Sequence, residues 1–206
     1  MDFTIIGAGN MGRALAARLS GGGNSIVVMD RDDAEAARLA DELTSVRAAP
    51  YGSPIETEAV ILAVYAPSIP EIIQRYGDQL SGRIVIDISN ALNPTFDDLA
   101  FPPDDSSAEN TARLAPGAMV IKAFNTTLSG PLTAGQVDGR PLDVFIAGDD
   151  ADAKARLSQA IATSGLRPLD AGPLKRARIL EGIGFLHIKL QDSLGTNWGS
   201  AVNILP

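Results

Sequence analysis

An apolar run that breaks directly into glycines at fixed spacing constrains this chain more than any other feature. Residues 3–6 (FTII) have the composition of a strand buried on both faces. Gly7, Gly9 and Gly12 follow in G-x-G-x-x-G spacing, and residues 11–19 then carry a helical pattern. A second apolar run, 25–29, ends at Asp30. Each glycine has its own task in a turn that holds a pyrophosphate. Gly7 permits the tight turn, Gly9 lets the backbone approach the phosphates with no Cβ in the way, and Gly12 lets the helix pack close to the strand. The loop runs through Ala8, Asn10 and Met11, and the helix start offers unpaired N–H groups and the positive end of its dipole. Asp30 stands where a carboxylate accepts hydrogen bonds from a ribose diol. The stretch therefore reads as a dinucleotide site.

Beyond Asp30, helical and strand patterns alternate. Residues 32–43 (DDAEAARLADEL) read as an amphipathic helix with acids in its first turn, where the macrodipole favours them. Residues 46–48 fit a short third strand, and 59–64 (AVILAV) fit a central parallel strand. Ala63 and Val64 close that run at the edge where doubly wound sheets form their ligand crevice. A helix over 68–80 leads to a strand over 83–88 (RIVIDI), which runs into Ser89 and Asn90. An acidic, proline-rich surface excursion covers 95–110, with a helical turn at 110–114. A buried strand over 119–124 (MVIKAF) then ends at Asn125 and Thr126. This alternation is the signature of a parallel α/β sheet. After about residue 128 come a glycine- and proline-punctuated loop and a strand over 142–147. A helix over 150–164, a short strand over 166–169, a turn at 170–173 and a long helix over 174–194 complete the pattern. The expected fold is a Rossmann-type doubly wound α/β sheet with a small C-terminal α/β extension ending in a long helix. Residues 1–127 form the dinucleotide-binding domain, and 128–206 a small domain that completes the cleft.

The formal charge of −8 argues against a nucleic-acid or anionic-membrane partner, since both require a basic face. With no cysteine, disulfides, thiolate catalysis and cysteine–metal sites are excluded, and no metal site is expected. No basic segment precedes an apolar stretch at the N-terminus, and no apolar run approaches the length of a membrane span, so a cytoplasmic protein is expected.

Several stretches carry a family resemblance: IIGAGNMGRALAARL (5–19), VIDISNAL (85–92), IKAFNT (121–126), GDDADAKARL (148–157) and LDAGPLKRARILE (169–181). Together they resemble the NADPH-dependent coenzyme F-420 reductases, the deazaflavin:NADP oxidoreductases, to which the N-terminal domains of eukaryotic metalloreductases are also similar. The resemblance implies a nicotinamide held in a cleft between the Rossmann domain and the small domain. It places the phosphates on Gly7 to Gly12 and the adenosine side against Ala63 and Val64. Asn90 and the segment Ala123, Phe124, Asn125, Thr126 would surround the nicotinamide. The second substrate it implies is deazaflavin F-420 or a flavin. Two departures stand out. Ala91 replaces a proline, and Asp30-Arg31 replaces the small residue and arginine that hold a 2′-phosphate. A carboxylate suits a free 2′-hydroxyl, whereas Arg31 could clamp a phosphate, so NADP(H) and NAD(H) both remain open.

Asn125 and Thr126 could fix the nicotinamide carboxamide or ribose, or could hydrogen-bond their own backbone in a turn. His187, the single histidine, is either a general acid or a partly buried helix residue with one satisfied nitrogen. Trp198, the single tryptophan, could stack on a second substrate or serve in packing or an interface. In the last helix, Ile179, Ile183, Leu186, Leu190 and Leu194 share one face. Leu180, Phe185 and Ile188 widen the apolar arc beyond the need of one core, which points to a homodimer contact. Gly182 and Gly184 suggest close packing there. The expected activity is hydride transfer between a nicotinamide and a flat acceptor, achieved by positioning and without a catalytic side chain. A reductase of a small imine or carbonyl is the second enzyme reading, and an NAD(P)-binding redox sensor is the reading from another class.

Overall fold

The parity of the strand residues builds two cores on one sheet. The structure is a computed structural model describing residues 1–205. The first half runs β1 (Asp2–Ile6), α1 (Asn10–Gly21), β2 (Ser25–Met29), α2 (Asp33–Glu42), β3 (Val46–Ala48), β4 (Ala59–Leu62), α3 (Ile69–Tyr76) and β5 (Ile84–Asp87). Then come α4 (Ser107–Leu114), β6 (Met119–Lys122), α5 (Ser129–Ala134), β7 (Gln136–Val137), β8 (Arg140–Pro141), β9 (Asp143–Gly148), α6 (Ala151–Thr163), β10 (Arg167–Gly172) and α7 (Ala177–Leu194). Successive strand side chains point to opposite faces. Ile5, Val28, Ile61, Ile86 and Ile121 meet Leu15 and Leu19 of α1, Leu39 of α2 and Leu157 of α6. Their neighbours Ile6, Val27, Val60, Leu62, Val85 and Val120 meet Ile72, Ile73 and Tyr76 of α3 and Ala108 of α4.

The eight-stranded sheet has the order β10-β9-β6-β5-β4-β1-β2-β3. From β3 to β6 it is parallel and doubly wound, as the sequence predicts, with its order reversing between β1 and β4. The registers Met29↔Ile6, Ile6↔Leu62, Leu62↔Asp87 and Asp87↔Lys122 align the strand ends in one row, so the loops that follow them share one crevice. The segment after residue 128 adds its strands to the same sheet. β9 lies antiparallel to β6, and β10 pairs parallel with β9.

Local differences from the sequence reading have local causes. The helix expected at 110–114 starts at Ser107, because Ser106 accepts the Glu109 N–H (3.2 Å) while its hydroxyl meets the Glu109 carboxylate (2.7 Å). Ser106 thus caps the helix in the Ser-x-x-Glu spacing of a capping box, although its own N–H goes to Asp105. Residues 170–172, expected as a turn, extend β10, with a register shift between Asp170 and Gly172. The loop after 128 contains α5, which packs on α1, and the small β7–β8 hairpin. The helical pattern from 174 begins as a 3-10 turn and becomes α-helical at Ala177.

The last helix is turned opposite to ordinary amphipathicity. Ala177, Leu180, Glu181, Gly184, His187 and Gln191 face inward. Ile179, Leu186, Leu190 and Leu194 lie on the surface, Leu186 with 59% of its area exposed.

Candidate functional site

The crevice starts at the glycine loop. Gly7 has φ +111°, and its N–H donates to the Met29 carbonyl (2.8 Å). A Cβ there would collide with the Ala63 backbone, so Gly7 is fixed both by its dihedral and by the close approach of the β4 end. A Cβ on Gly12 would collide with the Gly7 carbonyl, which is how α1 comes to sit against the loop. Gly9 differs from both. Its φ of −68° is open to any residue, and a Cβ would find nothing within 4 Å. Nothing in the fold requires glycine there. Gly9 is also the N-cap of α1 and leaves the helix start, at exposed Asn10 and half-buried Met11, without a side-chain cap.

Asp30 belongs to this cradle. Its Oδ2 accepts the Ala8 N–H (2.6 Å) and its Oδ1 the Asp32 N–H (2.9 Å). Arg31 points away, its guanidinium 3.4 Å from the Ser68 hydroxyl and 3.7 Å from the Glu71 carboxylate. Half-buried Ala63 and Val64 line the neighbouring strand end, and the Ala63 N–H donates to the Ile6 carbonyl (2.9 Å).

Asn90 and Asn125 meet across the loops after β5 and β6. Asn90 Nδ2 donates to the Asn125 carbonyl (2.7 Å), and Asn125 Nδ2 donates to Asn90 Oδ1 (2.8 Å) and to the Leu180 carbonyl (2.7 Å). Carbonyls only accept, so both amide orientations are determined. Asn125 Oδ1 is buried with no donor, an arrangement that costs about 1–3 kcal/mol. Gly184 of α7 closes on the pair. A Cβ there would lie 2.7 Å from Asn90 Nδ2 and 2.8 Å from the Asn125 carbonyl. Gly182 has open space instead.

Phe124, fully buried, holds φ 61°, a left-handed conformation unusual for an aromatic residue. Its carbonyl accepts both the Thr127 N–H (3.2 Å) and the Thr127 hydroxyl (2.7 Å), which locks the turn. Ala123 is fully buried in the core and Thr126 nearly so, so neither side chain lines an open surface.

The carbonyl of Thr126 receives His187 Nδ1–H (3.1 Å), so His187 Nε2 accepts from the Ser200 hydroxyl (2.8 Å). Both ring nitrogens are engaged. Burial, partly opposed by the Thr126 hydrogen bond, lowers the His187 pKa below its ordinary value and leaves the ring neutral at pH 7. Trp198 lies half exposed beyond the helix.

Beneath the asparagines lies a charged cluster that the sequence reading passed over. Lys122 and Asp87 are fully buried, and Glu181 is 2% exposed. The Lys122 ammonium donates to Asp87 Oδ1 (3.1 Å), Glu181 Oε1 (2.8 Å) and the Ser89 carbonyl. Asp87 also accepts from the Ser89 N–H and hydroxyl and from the hydroxyls of Ser107 and Thr111. Burial alone would raise the Asp87 pKa, but Lys122 and the Ser89 and Ser107 donors hold it below the ordinary value. For Glu181, burial outweighs Lys122, and the pKa is raised. The available signal was a lysine inside an apolar strand run, because a buried ammonium requires partners.

Two cavities, of about 150 and 390 Å³, are lined by residues other than the glycine loop and the asparagine pair. The glycine loop and the asparagine pair lie along the groove set by the aligned strand ends.

The family profile for the coenzyme F420-dependent NADP oxidoreductases matches residues 2–91. The F420-dependent NADP reductase of Methanocaldococcus jannaschii is 30% identical over 209 residues, covering 92% of each chain. This chain belongs to that family. The rat metalloreductase STEAP3 is 36% identical over 181 residues, which are 87% of this chain and 35% of that longer protein. Among solved structures, an Arthrobacter sp. FB24 protein provisionally assigned as an F420-dependent NADP reductase superposes with TM-score 0.89. It is 26% identical and covers 99% of both chains.

Proposed function

We propose that this chain is a cytoplasmic NAD(P)H-dependent oxidoreductase that passes a hydride between a nicotinamide and a flat deazaflavin or flavin acceptor. The observation that carries the proposal is Gly9, which caps α1 with open space where a Cβ would lie and with no dihedral or packing need for glycine, as suits a pyrophosphate resting on the loop. Gly7 to Gly12 would hold the pyrophosphate on the N-terminus of α1, with Asp30 beside the ribose and Ala63 and Val64 beside the adenosine. Asn90 and Asn125 would bound the nicotinamide end. The bound nicotinamide supplies the hydride chemistry. The protein supplies positioning of the two rings, which is worth about 7–11 kcal/mol when the reacting atoms are held at near-attack distance.

The segments 1–127 and 128–206 would act as the two walls of this groove, α7 lying against Asn90 and Asn125. The exposed leucines of α7 would pair with those of a second copy, giving a homodimer. Among the described residues no helix is long and apolar enough to cross a membrane. The single histidine is engaged at both nitrogens and so is not free to serve as the proton donor that reduction of a small imine or carbonyl needs.

Calorimetry of the purified protein with NADH and NADPH should show saturable binding that Gly9→Val abolishes without unfolding the chain. Mixing the reduced nicotinamide with deazaflavin, FMN or FAD should then give acceptor-dependent nicotinamide oxidation. Undiminished affinity in Gly9→Val would remove the loop from the site.

A further inference from the structure

The geometry at Asp30 points to selection of the unphosphorylated dinucleotide, so we propose that this chain takes NADH in preference to NADPH. The inference rests on the dinucleotide reading above and commits it to one cofactor.

The Asp30 carboxylate is not free to swing. Ala8 N–H holds one oxygen at 2.6 Å and Asp32 N–H holds the other at 2.9 Å. Turning aside would leave the Ala8 donor of the phosphate loop without its partner. Each oxygen keeps a further lone pair, so the carboxylate can accept from both hydroxyls of a ribose diol. An ionised carboxylate has no donor to offer a 2′-phosphate, and the two repel each other.

The residue that could offset the repulsion is Arg31. Its guanidinium lies 3.4 Å from the Ser68 hydroxyl and 3.7 Å from the Glu71 carboxylate, and its side chain is 63% exposed. To clamp a 2′-phosphate it would have to give up Glu71, while the held Asp30 carboxylate stays beside the ribose. Asp32 and Asp33 follow at once, so three carboxylates surround this one arginine in sequence. Neither acid is idle. Asp32 caps α2 through the Ala34 N–H (3.0 Å), and Asp33 accepts the Tyr51 N–H (3.0 Å). The acidic rim is thus built into the start of α2.

Titration calorimetry of the intact protein with NADH and with NADPH tests the inference without turnover. NADH should bind at least about tenfold more tightly, which corresponds to about 1.4 kcal/mol. Asp30→Asn keeps an oxygen for Ala8 and removes the charge, so it should tighten NADPH binding by about tenfold and hold the loop in place. Asp30→Ser should carry the preference further toward NADPH. NADPH binding as tight as NADH in the parent, or an unchanged ratio in Asp30→Asn, would overturn the inference and leave the dinucleotide site standing. Failure of the parent protein to bind either nucleotide would overturn both.

Discussion

Lys122→Met removes the cation that holds two buried carboxylates together beneath the groove. The parent ammonium has three protons and three acceptors: Asp87 Oδ1 at 3.1 Å, Glu181 Oε1 at 2.8 Å and the Ser89 carbonyl. Methionine fills a similar volume, so the loss is electrostatic rather than a cavity. Asp87 would keep the Ser89 N–H (2.8 Å) and three hydroxyl donors. Glu181 would keep only the Ser107 and Ala108 N–H groups at 3.2 and 3.4 Å. Breaking a buried pair by removing one partner costs about 3–5 kcal/mol, a large part of the ~5–15 kcal/mol that holds a domain folded.

The pH dependence identifies which carboxylate suffers. Asp87 is depressed in the folded parent, so its stabilisation is present above the ordinary carboxylate value and is lost only in strong acid. Glu181 is raised, so the fold favours its protonated form. That contribution is present below its unfolded pKa and is lost as pH rises through the folded value. Without Lys122 the Glu181 value climbs further. The loss in Lys122→Met should therefore be larger at about pH 8 than at about pH 5, and Glu181→Gln in the same chain should recover the difference. Urea unfolding followed by circular dichroism measures all three proteins. A Lys122→Met protein within about 1 kcal/mol of the parent at both pH values would refute a charge-bearing core.

Gly184→Ala would place a methyl group against the Asn90 amide and the Asn125 carbonyl. It should cost about 1–3 kcal/mol by overpacking and weaken nicotinamide binding, as unfolding and calorimetry will show, while Gly182→Ala, in open space, should stabilise the helix. His187→Gln should keep turnover within about tenfold of the parent, with a nearly flat rate profile between about pH 6 and 8, because the neutral ring serves as a tie between Thr126 and Ser200. A hundredfold loss with a limb near the histidine pKa would move His187 into the chemistry. Leu186→Asp with Leu190→Asp should yield the 21.5 kDa monomer by light scattering where the parent gives twice that mass; a monomeric parent would end the dimer proposal.

What the sequence made legible follows the periodicities that one chemistry dominates. Continuous apolar runs marked β1, β2, β4, β5 and β6, because a parallel sheet covered on both sides leaves no polar alternation to confuse with a surface strand. The glycine loop was legible because three positions share one spacing, and the structure gives each a different cause. The start of α4 was missed although Ser106 and Glu109 stand in capping-box spacing, because the acidic, proline-rich residues before them read as surface loop. The meeting of Asn90 with Asn125, and of Lys122 with Asp87 and Glu181, depends on strand order and register, which a single chain of letters does not display.

The last helix reads in sequence as apolar beyond the need of one core, and the structure shows which of its faces the core takes. A helix that turned Ile179, Leu186, Leu190 and Leu194 inward would bury more apolar area, but it would take Glu181 from Lys122, His187 from Thr126 and Leu180 O from Asn125. Each of those partners belongs to a strand end or to the loop behind it, and each would lose a buried hydrogen bond or ion pair, the Lys122 ammonium one of its two carboxylates. The polar face is therefore held inward by the groups it satisfies, and the leucines are left outside. The same arrangement ties α7 to the groove at three levels: Glu181 under the floor, Gly184 against the asparagine pair and His187 behind the Thr126 turn. A second copy covering the outer leucines, as proposed, would therefore lie on the same helix that sets Gly184 against the asparagine pair.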